Sequence, residues 1–456
     1  MMKKWTIPFV LLALISLLGL VPTSAPEPNP EQPINTGDTA WMLAAAGLVL
    51  LMTPGLAFFY GGMVRFKNVV STMLQSFIVM GIVSILWVVV GFSLAFGNSI
   101  GGIVGNPTTF LMFNNVGLAT HSDLSPTIPF ALFALFQLKF AIITPALITG
   151  GFAERIRFSA FILFIALFCL FIYAPLAHWT WHPDGFLRKW GVLDFAGGTV
   201  VHISAGFAAL AGAMVLGRRK DYGAEHAPYN IPFILLGTGL LWFGWFGFNA
   251  GSALGANELA ASAFMNTNTA SAAAMLAWVF FDGITGRKPS AMGACIGAVV
   301  GLVAITPAAG FVTVGQSLFI GTIAAIISNL AVRIKTRSSL DDTLDVFPCH
   351  GLGGIVGMIA TGIFAKDVGL FYGQTETFLY HLLGLAIVSA FTFGGSWLLY
   401  KFTALLIPIR VRPEFESEGL DASQHSEKAN DLESILQAAA QISTQYKQRY
   451  YEEELN

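Results

Sequence analysis

Two histidines stand in apolar sequence where an ionisable side chain is out of place. His202, in DFAGGTVVHISAG, follows Asp194 by eight residues, just over two helical turns or about 12 Å along the axis. His350, in DVFPCHGLGGIVG, follows Asp345 and Pro348 and precedes a glycine-rich run whose bare surface lets a neighbouring helix come close. An ionisable group held inside a membrane is costly, and by default it marks a proton or substrate path. Two readings compete with a proton path. Each imidazole could simply satisfy a backbone carbonyl of a neighbouring helix, or the pair could be axial ligands of a haem, although no second pocket for a macrocycle is evident. Asp194 has a structural alternative too, since an acid at a helix start caps free N–H groups.

The elements that must position these residues are membrane helices. Of 456 residues, 55% are hydrophobic and 11% charged, against roughly 25% charged in soluble chains. With 24 Lys+Arg against 26 Asp+Glu the chain has no basic footprint for nucleic acid. Cys169, Cys295 and Cys349 are too scattered for a disulfide framework or a metal cluster. The fold class expected is all-α and polytopic. Two lysines, an apolar stretch Trp5 to Leu20 and the small residues Thr23 and Ala25 read as a signal peptide over 1–25. A retained first helix is the rival, though the stretch is shorter than the ~20 residues a bilayer needs.

Eleven apolar segments of spanning length follow: 38–62, 69–96, 127–151, 158–180, 196–217, 229–250, 258–283, 289–307, 311–333, 347–365 and 377–408. The loops after odd segments hold Arg65, Lys67, Arg155, Arg157, Arg218, Arg219, Lys220, Arg287, Lys288, Arg333, Lys335 and Arg337, and those after even segments only Arg188, Lys189 and Lys366. Lysine and arginine stay on the cytoplasmic side, which puts the mature N-terminus outside and the C-terminus inside. Five segments on either side of the 218–228 loop then run in opposite senses, as in an inverted repeat with its substrate path at the pseudo-twofold interface. The eleventh is an extra helix bracing the pair.

Four motifs, DFAGGTVVHISAG, WFGWFGFNAGSALGANELA, DVFPCHGLGGIVG and FQLKFAIITPALITGGFAERIRF, in this order along the chain except that the last comes first, resemble the ammonium transporter family, in its Amt/Mep rather than its Rhesus branch. The resemblance runs from about Thr36 to Asp421, covering the membrane domain expected over 36–408. It implies a homotrimer with a pore in each protomer of an inner (plasma) membrane, no enzyme activity, no cofactor and no metal. Its solutes are ammonium and ammonia, with methylammonium as an alternative. By the same resemblance His202 and His350 are the pore histidines and Asp194 the conserved acid. Phe140, Trp181 and Ser252 form the outer recruitment site, and Phe140 and Phe248 are stacked gate rings, with Phe136, Gln137 and Trp245 lining the same region. The chemistry is coherent. A cation over ring faces gains about 0.5 to 2 kcal/mol, a hydroxyl accepts an N–H, and a bare charge crosses hydrocarbon only at great cost. Ammonia therefore passes once a proton is removed, and potassium has no proton to give up.

Lys139, beside Phe140, departs from expectation, because a central lysine costs about 2.5 to 3.5 kcal/mol and a fixed positive charge at the mouth would repel the solute. Together with the extended tail it motivates a second reading, an ammonium sensor that binds but conducts little. The tail, 409–456, holds five Lys+Arg and ten Asp+Glu. Its EGLDASQHSEKA stretch is similar to the family's regulatory tail, which implies a PII-type partner. Leu432, Ile435, Ala439, Ile442 and Tyr446 recur at spacings of three and four, the stripe of an amphipathic helix.

Overall fold

The computed structural model describes residues 3–429 apart from 30, 225 and 226; the amphipathic stripe expected over 432–446 lies outside these residues. Each expected segment holds a helix. Among the described residues nine helices are long and apolar enough to cross a membrane. Of the remaining two, Glu258–Ile284 is long but dotted with Asn and Thr, and Ala291–Ile305 is apolar but short. The stretch read as a signal peptide is helical over Lys3–Leu18 and lies exposed along most of its length.

Local chemistry sets the starts. Asn35, Asn230, Asn257 and Ser290 each accept the N–H three residues on, satisfying a donor that a helix's first turn leaves free. Glycine then controls how closely helices pack. A Cβ at Gly297 would sit 2.7 Å from that of Trp278, and one at Gly301 2.5 Å from the Ala270 carbonyl, so Ala291–Ile305 nests against Glu258–Ile284. The long Thr375–Leu406 helix braces the bundle from outside, its Tyr400 ring stacked on Phe164 at 3.8 Å.

The loops after the first, third, fifth and ninth segments meet on one face. Glu154 is buried there between Arg65 and Arg219, at 2.5 and 2.8 Å, and Arg219 also pairs with Asp341 at 2.9 Å. Burial would raise the Glu154 pKa, but the two guanidiniums outweigh it and hold the carboxyl at about 2. The tail docks on the same face. Lys67 donates to the Ser417 carbonyl, Asp421 accepts from the N–H groups of Val70 and Ser71, and Gln424 accepts from Phe158 N–H. The connection after the second segment forms a small hairpin, Ser99–Ile100 with Val104–Gly105, and contributes Asp123 and Leu124 to the lining of a cavity.

Candidate functional site

The two histidine-bearing helices share a construction. Gly198–Ile203 and Phe347–Gly351 are π-helical turns that open the helices Ser204–Leu216 and Leu352–Phe364, and such turns concentrate at functional sites. Asp194 accepts from the N–H groups of Gly197, Gly198 and Thr199 at 2.6–2.8 Å and from the Thr199 hydroxyl. It is a helix cap, fully engaged. In the second helix the matching acid is Asp342, eight residues before His350, which accepts from Val346 and Phe347 N–H. Asp345, the acid closer to His350 in sequence, instead has its carboxylate bound to Lys335 at 2.7 Å. Buried, Asp342 has its pKa pushed up to about 6, Lys335 pulling it partly back.

The helices cross at glycine. A Cβ at Gly206 would collide with the backbone of Gly351, and one at Gly354 would lie 3.3 Å from the Cβ of His202. The imidazoles consequently meet, with Nδ1 of His350 3.4 Å from Nδ1 of His202 and both rings buried. That separation leaves no room for an iron between them and removes the haem alternative.

Thr306, which the sequence reading missed, fixes the protons. Its hydroxyl donates to the Leu302 carbonyl at 2.7 Å and accepts from Trp245 Nε1 at 2.9 Å. With its proton committed, it can only accept from His202 Nε2, 3.3 Å away. His202 is then protonated on Nε2 and accepts on Nδ1 from His350. That leaves His350 Nε2 as an acceptor, and the His350 side chain lines a cavity with Phe59, Tyr60, Met63, Leu344 and Cys349 with room for about one water.

On the other side of the pair the aromatic residues form a continuous column. The His202 ring stacks on Trp245 at 5.3 Å and on Phe248 at 5.9 Å. Phe248 lies 4.3 Å from Phe140, which in turn contacts Phe136 at 4.9 Å and Trp181 at 5.7 Å. Above these rings opens a cavity of about 500 Å³ lined by Phe140, Trp181, Ser252, Gln137 and Asp194 among others. Trp181 is held by its Nε1 on the Asp194 carbonyl, and Ser252 donates to the Phe248 carbonyl, which leaves its oxygen free to accept. The Gln137 Oε1, buried and without a partner among the described residues, offers a further acceptor. Lys139 is buried and does not line this cavity, so its charge does not stand at the mouth.

A ring-lined basin thus stands over a closed aromatic pair and two buried imidazoles. Residues 40–430 match the model of the Ammonium Transporter Family. The ammonium transporter of Bacillus subtilis is 48% identical over 404 residues, 86% of this chain and 98% of the relative. Among solved structures, Candida albicans Mep2 superposes with a TM-score of 0.79 at 34% identity, covering 84% of this chain and 88% of its own. A protein described as a sensor Amt protein gives 0.77 at 30% identity, with 85% and 98% covered. The chain belongs to the ammonium transporter family, whose members are multi-pass membrane transporters.

Proposed function

We propose that the protein carries ammonium across a membrane by capturing the cation at Phe140, Trp181 and Ser252, removing its proton near the Phe140–Phe248 pair, and passing ammonia beyond His202 and His350 while that pair relays the proton. One observation carries the reading: basin, stacked rings and imidazoles follow one another in unbroken contact, from Trp181 to His350. In the same reading the chain crosses a plasma (inner) membrane eleven times as a five-plus-five inverted repeat with one added helix, its shared face of odd loops and tail in the cytoplasm. Matching acid-to-histidine spacings in the two halves support the repeat. Three copies assemble, residues 1–25 direct export and are removed, and the docked tail meets a PII-type protein.

The sensor alternative draws support from the sensor Amt neighbour, but the position of Lys139 away from the outer cavity takes away one of its two motives. Liposomes decide between them. A transporter gives a current on an ammonium pulse and none on an equal potassium pulse; tight ammonium binding with no current favours the sensor.

A further inference from the structure

A second chamber, of about 320 Å³, opens beside the outer cavity and shares Phe96, Asp123, Leu124 and Pro183 with it as a common wall. Its other lining groups include His121, His182 and Asp184. The imidazoles are oriented by the backbone. His182 Nδ1 accepts from Asp184 N–H at 3.0 Å, and His121 Nδ1 accepts from the N–H groups of Asp123 and Leu124 at 3.4 Å. A ring nitrogen that accepts carries no proton, so each neutral ring holds its proton on Nε2. Neither Nε2 has a protein partner among the described residues, although His182 is only 8% exposed.

These tautomers decide what the chamber can hold. With each imidazole lone pair already engaged by a backbone N–H, it is a poor seat for a transition metal, which binds that lone pair. A water that accepts from Nε2–H, however, keeps a second lone pair for the N–H of a cation. The charge comes from Asp123. Of the carboxylates lining the two cavities, Asp194 caps its helix and Asp184 pairs with Lys189 at 2.7 Å, whereas the Asp123 carboxylate has no bonded partner among the described residues. Arg188 lines the outer cavity and opposes it.

We infer that this chamber is a capture site for hydrated ammonium, held by Asp123 and by waters fixed on His121 and His182, from which the ion passes along the shared wall to Phe140, Trp181 and Ser252. The inference rests on the transport reading and adds where the ion is held before it sheds water. It is tested by ammonium-evoked current in liposomes carrying the full chain, read as KM and kcat at about 0.01 M and about 0.15 M salt, where screening lengths are about 30 and 8 Å. Asp123→Asn is expected to raise KM about three- to tenfold at low salt with kcat unchanged, Asp123→Glu to restore it, and Arg188→Gln to lower it. The differences shrink at the higher salt, and zinc added outside leaves KM unmoved. An unchanged KM in Asp123→Asn, a fall in kcat instead, or zinc inhibition abolished by His182→Gln overturns the capture site alone. A wild-type protein with no ammonium current removes the transport reading and the capture site with it.

Discussion

In the proposed function ammonium gives up water before it gives up a proton, and ring faces are what the mouth offers in exchange. Trp181 and Phe140 meet edge to face at 5.7 Å, and the Ser252 oxygen is free to accept on the same cavity wall. A cation–π contribution of about 0.5 to 2 kcal/mol corresponds to roughly two- to thirtyfold in affinity. Trp181→Leu should therefore raise the KM for ammonium by that factor in uptake assays while leaving the folded yield intact; an unchanged KM removes Trp181 from recruitment. At this scale much was legible. The histidines announced themselves as ionisable groups in apolar sequence, and the aromatics were singled out by their motifs among 39 phenylalanines. Thr306 was not legible, because a threonine between apolar residues and a proline has no distinguishing pattern; only the convergence of Trp245, His202 and the Leu302 carbonyl on one oxygen reveals it. Lys139 was readable as an anomaly, but its turn away from the cavity depends on the rotation of its helix.

The helices that present the histidines do so through glycine contacts and carboxylate caps. Gly206 and Gly351 let the two backbones touch, and the touching brings the imidazoles within reach of each other. Gly206→Val should push the pair apart, with loss of ammonium current and about 1 to 3 kcal/mol of overpacking strain; thermal unfolding in detergent and liposome flux read the two effects separately. Full flux in that variant would show that the close crossing is not what aligns the pair. The existence of each helix could be read from hydrophobic runs, and the glycine-rich run after His350 was read correctly as a surface for a neighbour. Which acid caps that helix was not. Asp342 and Asp345 both precede His350, and only the backbone donors of Val346 and Phe347 single out Asp342.

Across the whole molecule, the charges gathered by the odd loops do more than mark a side. Glu154 ties together Arg65 and Arg219, and through Arg219 and Asp341 joins connections from both halves of the chain. Removing one partner of such a buried pair costs about 3 to 5 kcal/mol, so Glu154→Gln should unfold in detergent at a clearly lower temperature than wild type near pH 7. The pH dependence has a definite sign. The carboxyl is depressed in the fold from an ordinary 4.5 to about 2, so its stabilisation is fully present above the unfolded value and drains away as pH falls from 4.5 through 2. The gap between wild type and Glu154→Gln should close over that interval, and a gap that widens toward acid would contradict the assignment. The sidedness of the basic loops was legible in their count; that they converge on one buried glutamate was not, since Arg65, Glu154 and Arg219 are far apart in sequence. At the centre of the proposed function the His202–His350 pair carries the proton that ammonium leaves behind. The most direct measurement is the ammonium-evoked current of reconstituted protein with both histidines replaced, His202→Ala and His350→Ala together, beside wild type and with potassium as the comparison cation. The account predicts that the proton-coupled current and the preference over potassium are both lost; a double variant with wild-type current and selectivity would contradict it.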